Sequence, residues 1–446
     1  MTSPLQAYSY RDIWKIAYPI LISLLMEQLI GMTDTAFMGR IGEVELGACA
    51  IAGVYYMVIF MVGFGFCIGS QIIMARRNGE RHYGEIGAIF YHGLYFLIAF
   101  ALLAFIVSKT LSPLLLSKFV SSEHIYEAAM RYIDWRIFGF FFSFAATMFR
   151  SFYVATTQTK TLTLNSIIMV SSNVVFNWIL VFGKLGLPAM GIAGAALGSV
   201  LAELVSLLFF ITHTARRIDT RRYGLNTLPR IDRRIMKHIL NISVWTMVQN
   251  FLSISTWFMF FIFVEHLGER SLAITNIIRS LSSFLFMIVS AYASTCGSLV
   301  SNLIGAGRAD SVTYTIRQHV RLAYICVLPL AAFFSICPRL VISIYSDIPE
   351  LIDASVPSLW VLCSAYLFMA PSNIYFQSIS GTGNTRMAFT LELCALVLYV
   401  AYCFFIIMYL RLDVAWCWTS EIAYALLIFA FSYTYIRSGR WRGKTL

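Results

Sequence analysis

The chain of 446 residues is 59% hydrophobic and only 12% charged, with a formal net charge of +11 and a mean hydropathy of +0.75. A soluble domain carries roughly 25% charged residues, so the composition excludes a soluble globular protein and points to a chain built inside a membrane. The longest polar stretch, about residues 215–238, is far short of the ~100 residues of an ordinary domain.

The polar start, MTSPLQAYSYRDIWK, runs straight into a full-length apolar segment, so no cleavable signal peptide is expected. A membrane span needs ~20 predominantly apolar residues. Twelve runs qualify: 13–38, 48–74, 87–108, 132–156, 162–183, 190–213, 239–264, 272–300, 318–336, 357–380, 387–410 and 414–436. Backbone polar groups in lipid must be paired within their own segment, so all twelve are predicted helices. The alternating signature of a membrane barrel is missing.

The first span carries two acids, Glu27 and Asp34, seven positions apart and therefore on nearly the same helix face. An acid at mid-span costs ~2.5–3.5 kcal/mol on insertion scales and normally faces a cavity, a partner or a proton route. Three more acids fall inside spans: Glu203, Glu392 and Glu421, the last two without a visible partner. Asp34 is the foremost functional candidate. Glu27 and Glu203 are candidates for proton relay or substrate binding, against a structural polar contact. Pro19 removes a helical hydrogen bond and predicts a kink between the start of the helix and Asp34. Lys and Arg are nearly absent from mid-span, with Arg150 and Arg279 as exceptions, and Arg150 is expected to snorkel.

The sixth span contains GIAGAALGS, whose Gly194 and Gly198 predict close helix packing. Aromatic and methionine side chains are frequent and mostly explained by lipid-facing packing. Gln28, Tyr55, Met57, Gln249, Met287 and Tyr292 are candidates for lining an adaptable apolar cavity. The nine cysteines stand singly, with no CxxC pair, and read as small buried hydrophobes.

Twelve spans put both termini on one side. Lys and Arg concentrate in RRNGER, in the 215–238 loop and in the RSGRWRGK tail, and this bias predicts cytoplasmic termini in an inner or plasma membrane. The net positive charge therefore belongs to topology, and no nucleic-acid partner is expected. The chain also repeats: IGEVELGA (Ile41 to Ala48) resembles LGERSLAI (Leu267 to Ile274), and Gly69-Ser70 and Gly79 resemble Gly297-Ser298 and Gly307 at nearly the same offset. Parallel repeats of this kind are related by an axis along the membrane normal. The expected fold is all-α: twelve transmembrane helices in two six-helix bundles around a central cleft. The bundles are 1–214 and 239–446, with a basic linker at 215–238.

Several stretches resemble the MATE (multidrug and toxin extrusion) family: AYPILISLL followed by MTDTAFMGRIG, then FRSFYVATTQTKT, SSNVVFNWILVFGKLGLPAMGIAGAALGSVLAE and FQSISGTGNTR. The resemblance covers nearly the whole chain. It implies a secondary active antiporter that exports organic, amphipathic and cationic compounds in exchange for H+ or Na+ by alternating access. It also implies a cation site in the N-terminal half at Asp34, Asn173, Asn177 and Ser199. The chain departs from relatives that carry an acid where Asn177 stands. It departs also from those with a C-terminal site of one Glu and one Asp, since Ser253 stands near the first position and LFMAPSNIYF offers no acid. No cofactor beyond the coupling ion, no enzyme activity and a monomer are expected. The tail SGRWRGKT imitates a P-loop with glycines one residue too close. The alternative is a lipid-linked saccharide or lipid flippase, which would want basic residues free in its cavity. A receptor or channel would leave the repeat and Asp34 unexplained.

Overall fold

The computed structural model describes residues 8–120 and 122–443. These form fourteen α-helices: α1 (Tyr10–Ile41), α2 (Glu43–Gly79), α3 (Tyr83–Phe119), α4 (Glu123–Arg136), α5 (Gly139–Ala155), α6 (Lys160–Phe182), α7 (Ile192–Arg217), α8 (Arg233–Glu265), α9 (Glu269–Gly305), α10 (Val312–Ile336), α11 (Pro338–Ile342), α12 (Pro349–Gly381), α13 (Thr385–Cys403) and α14 (Val414–Ser438). A π-helical turn, Phe404–Tyr409, prolongs α13.

Eleven helical segments are long and apolar enough to cross a membrane. The bent pair α4 and α5 makes the twelfth. The span predicted at 132–156 as one helix is thus two, meeting at 52°. A side chain at Gly139, the first residue of α5, would displace the ion pair beside it: its Cβ would lie 2.3 Å from Arg136 Nη1 and 2.4 Å from Glu203 Oε2. The bend accommodates a buried ion pair that the sequence did not announce.

The repeat is visible element by element. The helices α2 and α9 are each 37 residues long and each follows a glycine, Gly42 or Gly268. At an offset of about 226 residues, the last residue of α5 falls on the last of α12, and the first residue of α2 on the first of α9.

The chain forms two compact units, Ile22–Met247 and Met1–Leu21 with Val248–Leu446. The expected boundaries were 214 and 238. The first observed boundary instead falls inside α1, two residues after Pro19, and α1 continues helical through that proline. The basic segment after α7 belongs to the Ile22–Met247 unit, where it is fastened to α3. The Gly87 N–H donates to Tyr223 O at 2.7 Å, Tyr91 Oη donates to Leu225 O at 2.6 Å, and the Asp232 N–H donates to His92 Nε2 at 2.8 Å.

Within that unit α6 packs on α7, and α2 on α4 and α5. The glycines predicted to bring α6 and α7 together do so. A Cβ at Gly194 would lie 2.6 Å from Leu180 O, and one at Gly198 would lie 2.3 Å from Asn177 Oδ1. In the other unit α12 is central, packed by α9, α10 and α14 around Leu281, Leu285, Leu359, Tyr366 and Cys417.

Candidate functional site

Asn173 and Asn177 lie four residues apart on α6, so both amides project from one face. Both side chains are completely buried, at 0% exposure. An amide in such a place is expensive unless its hydrogen bonds are made, and here they run in one direction. The two N–H groups of Asn177 Nδ2 reach Asp34 Oδ1 at 2.6 Å and Asn173 Oδ1 at 3.2 Å. Asn173 Nδ2 donates to Ser199 Oγ at 3.2 Å, and Ser199 Oγ donates to Asp34 Oδ2 at 3.2 Å. The result is a ring that begins and ends on the half-buried Asp34 carboxylate. All four residues that the family resemblance implied are together in it.

The ring satisfies both oxygens of an ionised carboxylate without a metal. A metal ion among these groups would need the amides turned so that their oxygens face it. One buried oxygen already lacks a donor, Asn177 Oδ1. A proton asks for less: the Ser199 hydroxyl need only rotate and accept from a protonated Asp34. The residues therefore offer oxygen donors suited to a hard monovalent cation, and the arrangement drawn here needs the smaller change to hold a proton. Among the described residues no group of three or more His, Cys, Asp and Glu could hold a metal ion.

Beside the ring lies a group that sequence reasoning missed. Arg136, the last residue of α4, interacts electrostatically with Asp34 and pairs bidentately with Glu203 of α7, Nη1 to Oε2 at 2.9 Å and Nη2 to Oε1 at 2.6 Å. Its guanidinium lies 3.7 Å from the centroid of the Tyr56 ring, which stacks in turn on Phe140 at 4.5 Å. The hydroxyls of Tyr56 and Ser143 are hydrogen-bonded at 2.9 Å. Glu203, a candidate relay in the sequence, is thereby committed to an arginine. The signal was faint, because Arg136 stood at the edge of a predicted span.

Glu27 is not part of this ring. It forms a 2.5 Å ion pair with Arg150 of α5, next to a Ser23–Ser166 hydrogen bond of 2.7 Å. Arg150, expected to snorkel, pairs with this acid. Gln28 is half-buried and takes no part in either polar cluster. Tyr55 Oη donates to Ser108 Oγ at 2.9 Å. Met57 is half-buried.

The remaining candidates belong to the other unit. Gln249 is buried with Oε1 lacking a partner. Met287 is buried, and the buried Tyr292 is hydrogen-bonded to Cys326 Sγ at 3.3 Å. Glu392 and Glu421, which showed no partner in the sequence, both have one. Glu392 is in hydrogen-bond contact with Ser253 and Tyr424, and Glu421 accepts from Tyr399 at 3.0 Å.

Comparison with known proteins identifies the family and the fold. The family model described as MatE matches residues 19–179 and 246–405. A probable multidrug resistance protein NorM from Thermotoga maritima is 21% identical over 98% of this chain and 94% of its own length. Among solved structures, a MOP superfamily transporter from Pyrococcus furiosus aligns with TM-score 0.88 at 17% identity, over 96% of each chain. A multidrug resistance MATE family transporter in an outward-facing conformation aligns with TM-score 0.88 at 18% identity, again over 96% of each.

Proposed function

We propose, since the chain belongs to the MatE family of multi-pass membrane transporters, that it exports organic amphipathic cations from the cell in exchange for H+ or Na+. Asp34 would bind and release the coupling ion. The observation that carries this reading is the donor ring closing on Asp34 from Asn177 and Ser199. An ionisable group in a mostly dry interior changes charge when it takes up a proton or a cation, and the amides around it must then change partners. Such a local event can bias a two-state membrane protein between its conformations. The drug-resistance relative supports organic compounds as cargo. The loop charge bias supports placement in the plasma membrane with cytoplasmic termini.

The flippase alternative needs basic side chains free to hold phosphate. The three arginines nearest mid-span are engaged: Arg136 by Glu203, Arg150 by Glu27, and Arg279 by the rings of Trp257 and Phe261. The test is transport in proteoliposomes carrying an imposed H+ or Na+ gradient, with a fluorescent organic cation as cargo. Gradient-driven movement is expected in the wild type and lost in Asp34→Asn. Movement that ignores both gradient and Asp34 overturns the reading.

A further inference from the structure

The unit that holds α9 to α14 carries a buried acid with no counter-charge. Glu392 on α13 is 4% exposed. Its Oε1 is in contact with Ser253 Oγ of α8 and, at 3.3 Å, with Tyr424 Oη of α14. Its Oε2 is buried without any partner. Among the described residues neither Glu392 nor Glu421 forms an ion pair with a Lys, Arg or His.

The internal repeat sharpens the contrast. At the offset of about 226 residues, Glu27 falls on Ser253, Ser166 on Glu392, and Arg150 on Phe376. In the first unit an acid on the first helix sits near a serine on α6 and is neutralised by Arg150. In the second unit the acid and the serine have exchanged helices, and the arginine has become a buried phenylalanine. The carboxyl was kept while its cation was removed. A lone ionised carboxylate in an apolar interior is very costly, and such a group escapes the cost by holding a proton.

Proton counting at Ser253 points the same way. A serine hydroxyl has one hydrogen. Ser253 Oγ lies 2.9 Å from Gln249 O, one turn back on α8, and also contacts Glu392 Oε1. If its hydrogen serves the Gln249 carbonyl, the contact with Glu392 is closed only by a proton on the glutamate. If Glu392 is ionised, the serine hydrogen must leave the carbonyl and turn to the carboxylate. Both contacts are satisfied together only in the protonated acid, and the unpartnered Oε2 is then a neutral carbonyl oxygen.

We propose that Glu392 is a second proton-binding site, in the unit that does not contain Asp34, with Ser253 and Tyr424 as its positioning residues. The proton taken up forms the O–H bond of the acid and is donated to Ser253 Oγ. On release it passes to water, and the Ser253 hydrogen rotates onto Glu392. The titratable group that faces Glu392 is Tyr424 from α14, which also interacts with Glu421; Tyr399 of α13 and Tyr366 of α12 lie beyond it, next to Glu421. Tyr399 donates to Glu421 and its ring lies 5.6 Å from that of Tyr424, while Tyr366 is engaged with Ser282. None of these supplies a positive charge.

The site is tested by infrared difference spectroscopy of the full chain in lipid vesicles, following the carbonyl stretch of protonated carboxyl groups from mildly acidic to mildly alkaline pH. One protonated-carboxyl band should vanish in Glu392→Gln and persist in Asp34→Asn, which separates this site from the proposed coupling site. Ser253→Ala should move that band in frequency, because it removes a hydrogen-bond partner of the acid. Should Glu392→Gln fail to fold, Glu392→Asp must move the band. An unchanged band in a folded Glu392→Gln or Glu392→Asp protein overturns the proposal. So does a band indifferent to Ser253→Ala. Loss of the band on adding sodium at constant pH assigns the site to the metal ion and also overturns it.

Discussion

Asn177 turns its amide nitrogen to Asp34 Oδ1 at 2.6 Å, and its own oxygen occupies the space beside Gly198 where an added Cβ would stand 2.3 Å from it. The position of the key amide thus depends on the absence of a side chain on the neighbouring helix. Gly198→Ala is expected to push Asn177 off the carboxylate at an overpacking cost of about 1–3 kcal/mol. On the proposed coupling role of the ring, gradient-driven efflux should fall by about tenfold or more while the protein still inserts and purifies as a monodisperse species. Parallel efflux assays and size-exclusion profiles check this. A variant with full efflux would show that the Asn177 contact is dispensable.

The Arg136–Glu203 pair makes a different demand. Its side chains are 12% and 15% exposed, so removal of one partner strands the other in the interior, at a typical cost of about 3–5 kcal/mol. Arg136→Ala and Glu203→Ala should each lower thermal stability strongly. The double variant should be less damaged than the sum of the two, as a double-mutant cycle for a coupled pair requires. Arg136→Lys should not rescue, because a point ammonium cannot reproduce the bidentate fork or the stacking on Tyr56. Additive losses would argue against a coupled pair.

Glu27 is expected to matter far less. It is 40% exposed and Arg150 is 20% exposed, and a pair that opens in this way onto a water-filled cleft contributes roughly 0–1 kcal/mol. Glu27→Gln should leave efflux within about twofold of wild type, with a small loss of stability that shrinks further at high salt. Efflux lost as completely as in Asp34→Asn would restore Glu27 to the proton path.

These contrasts explain what the sequence could disclose. Twelve spans follow from hydropathy, and the Asp34, Asn173, Asn177 and Ser199 set was legible through its resemblance, helped by the four-residue spacing that puts two amides on one face. Gly194 and Gly198 announced close packing by their small size. Arg136 was hidden because it stands where a predicted span begins, a place in which a basic residue ordinarily reaches for the interface. The α4–α5 break was hidden with it, since Arg136 ends α4 at the bend and pairs there with Glu203. Glu392 had no visible partner because Ser253 and Tyr424 come from helices distant in the sequence, and only tertiary packing brings their hydroxyls to it.

Pro19 remains a test of how ion binding is transmitted. Proline has no N–H, so the carbonyl of Lys15, four residues back, loses its usual helical donor, yet α1 continues through it from Tyr10 to Ile41. The division between the compact units falls two residues later, so the weakened turn coincides with the place where one helix passes from one unit to the other. Pro19→Ala restores the missing donor and stiffens this turn; relief of an interior helical proline is worth up to ~3 kcal/mol where the helix is otherwise straight. Thermal stability should rise or hold, while gradient-driven efflux slows, because the turn that must flex has been made regular. Equal efflux with raised stability would show that α1 moves as a rigid rod and that Asp34 acts without bending it.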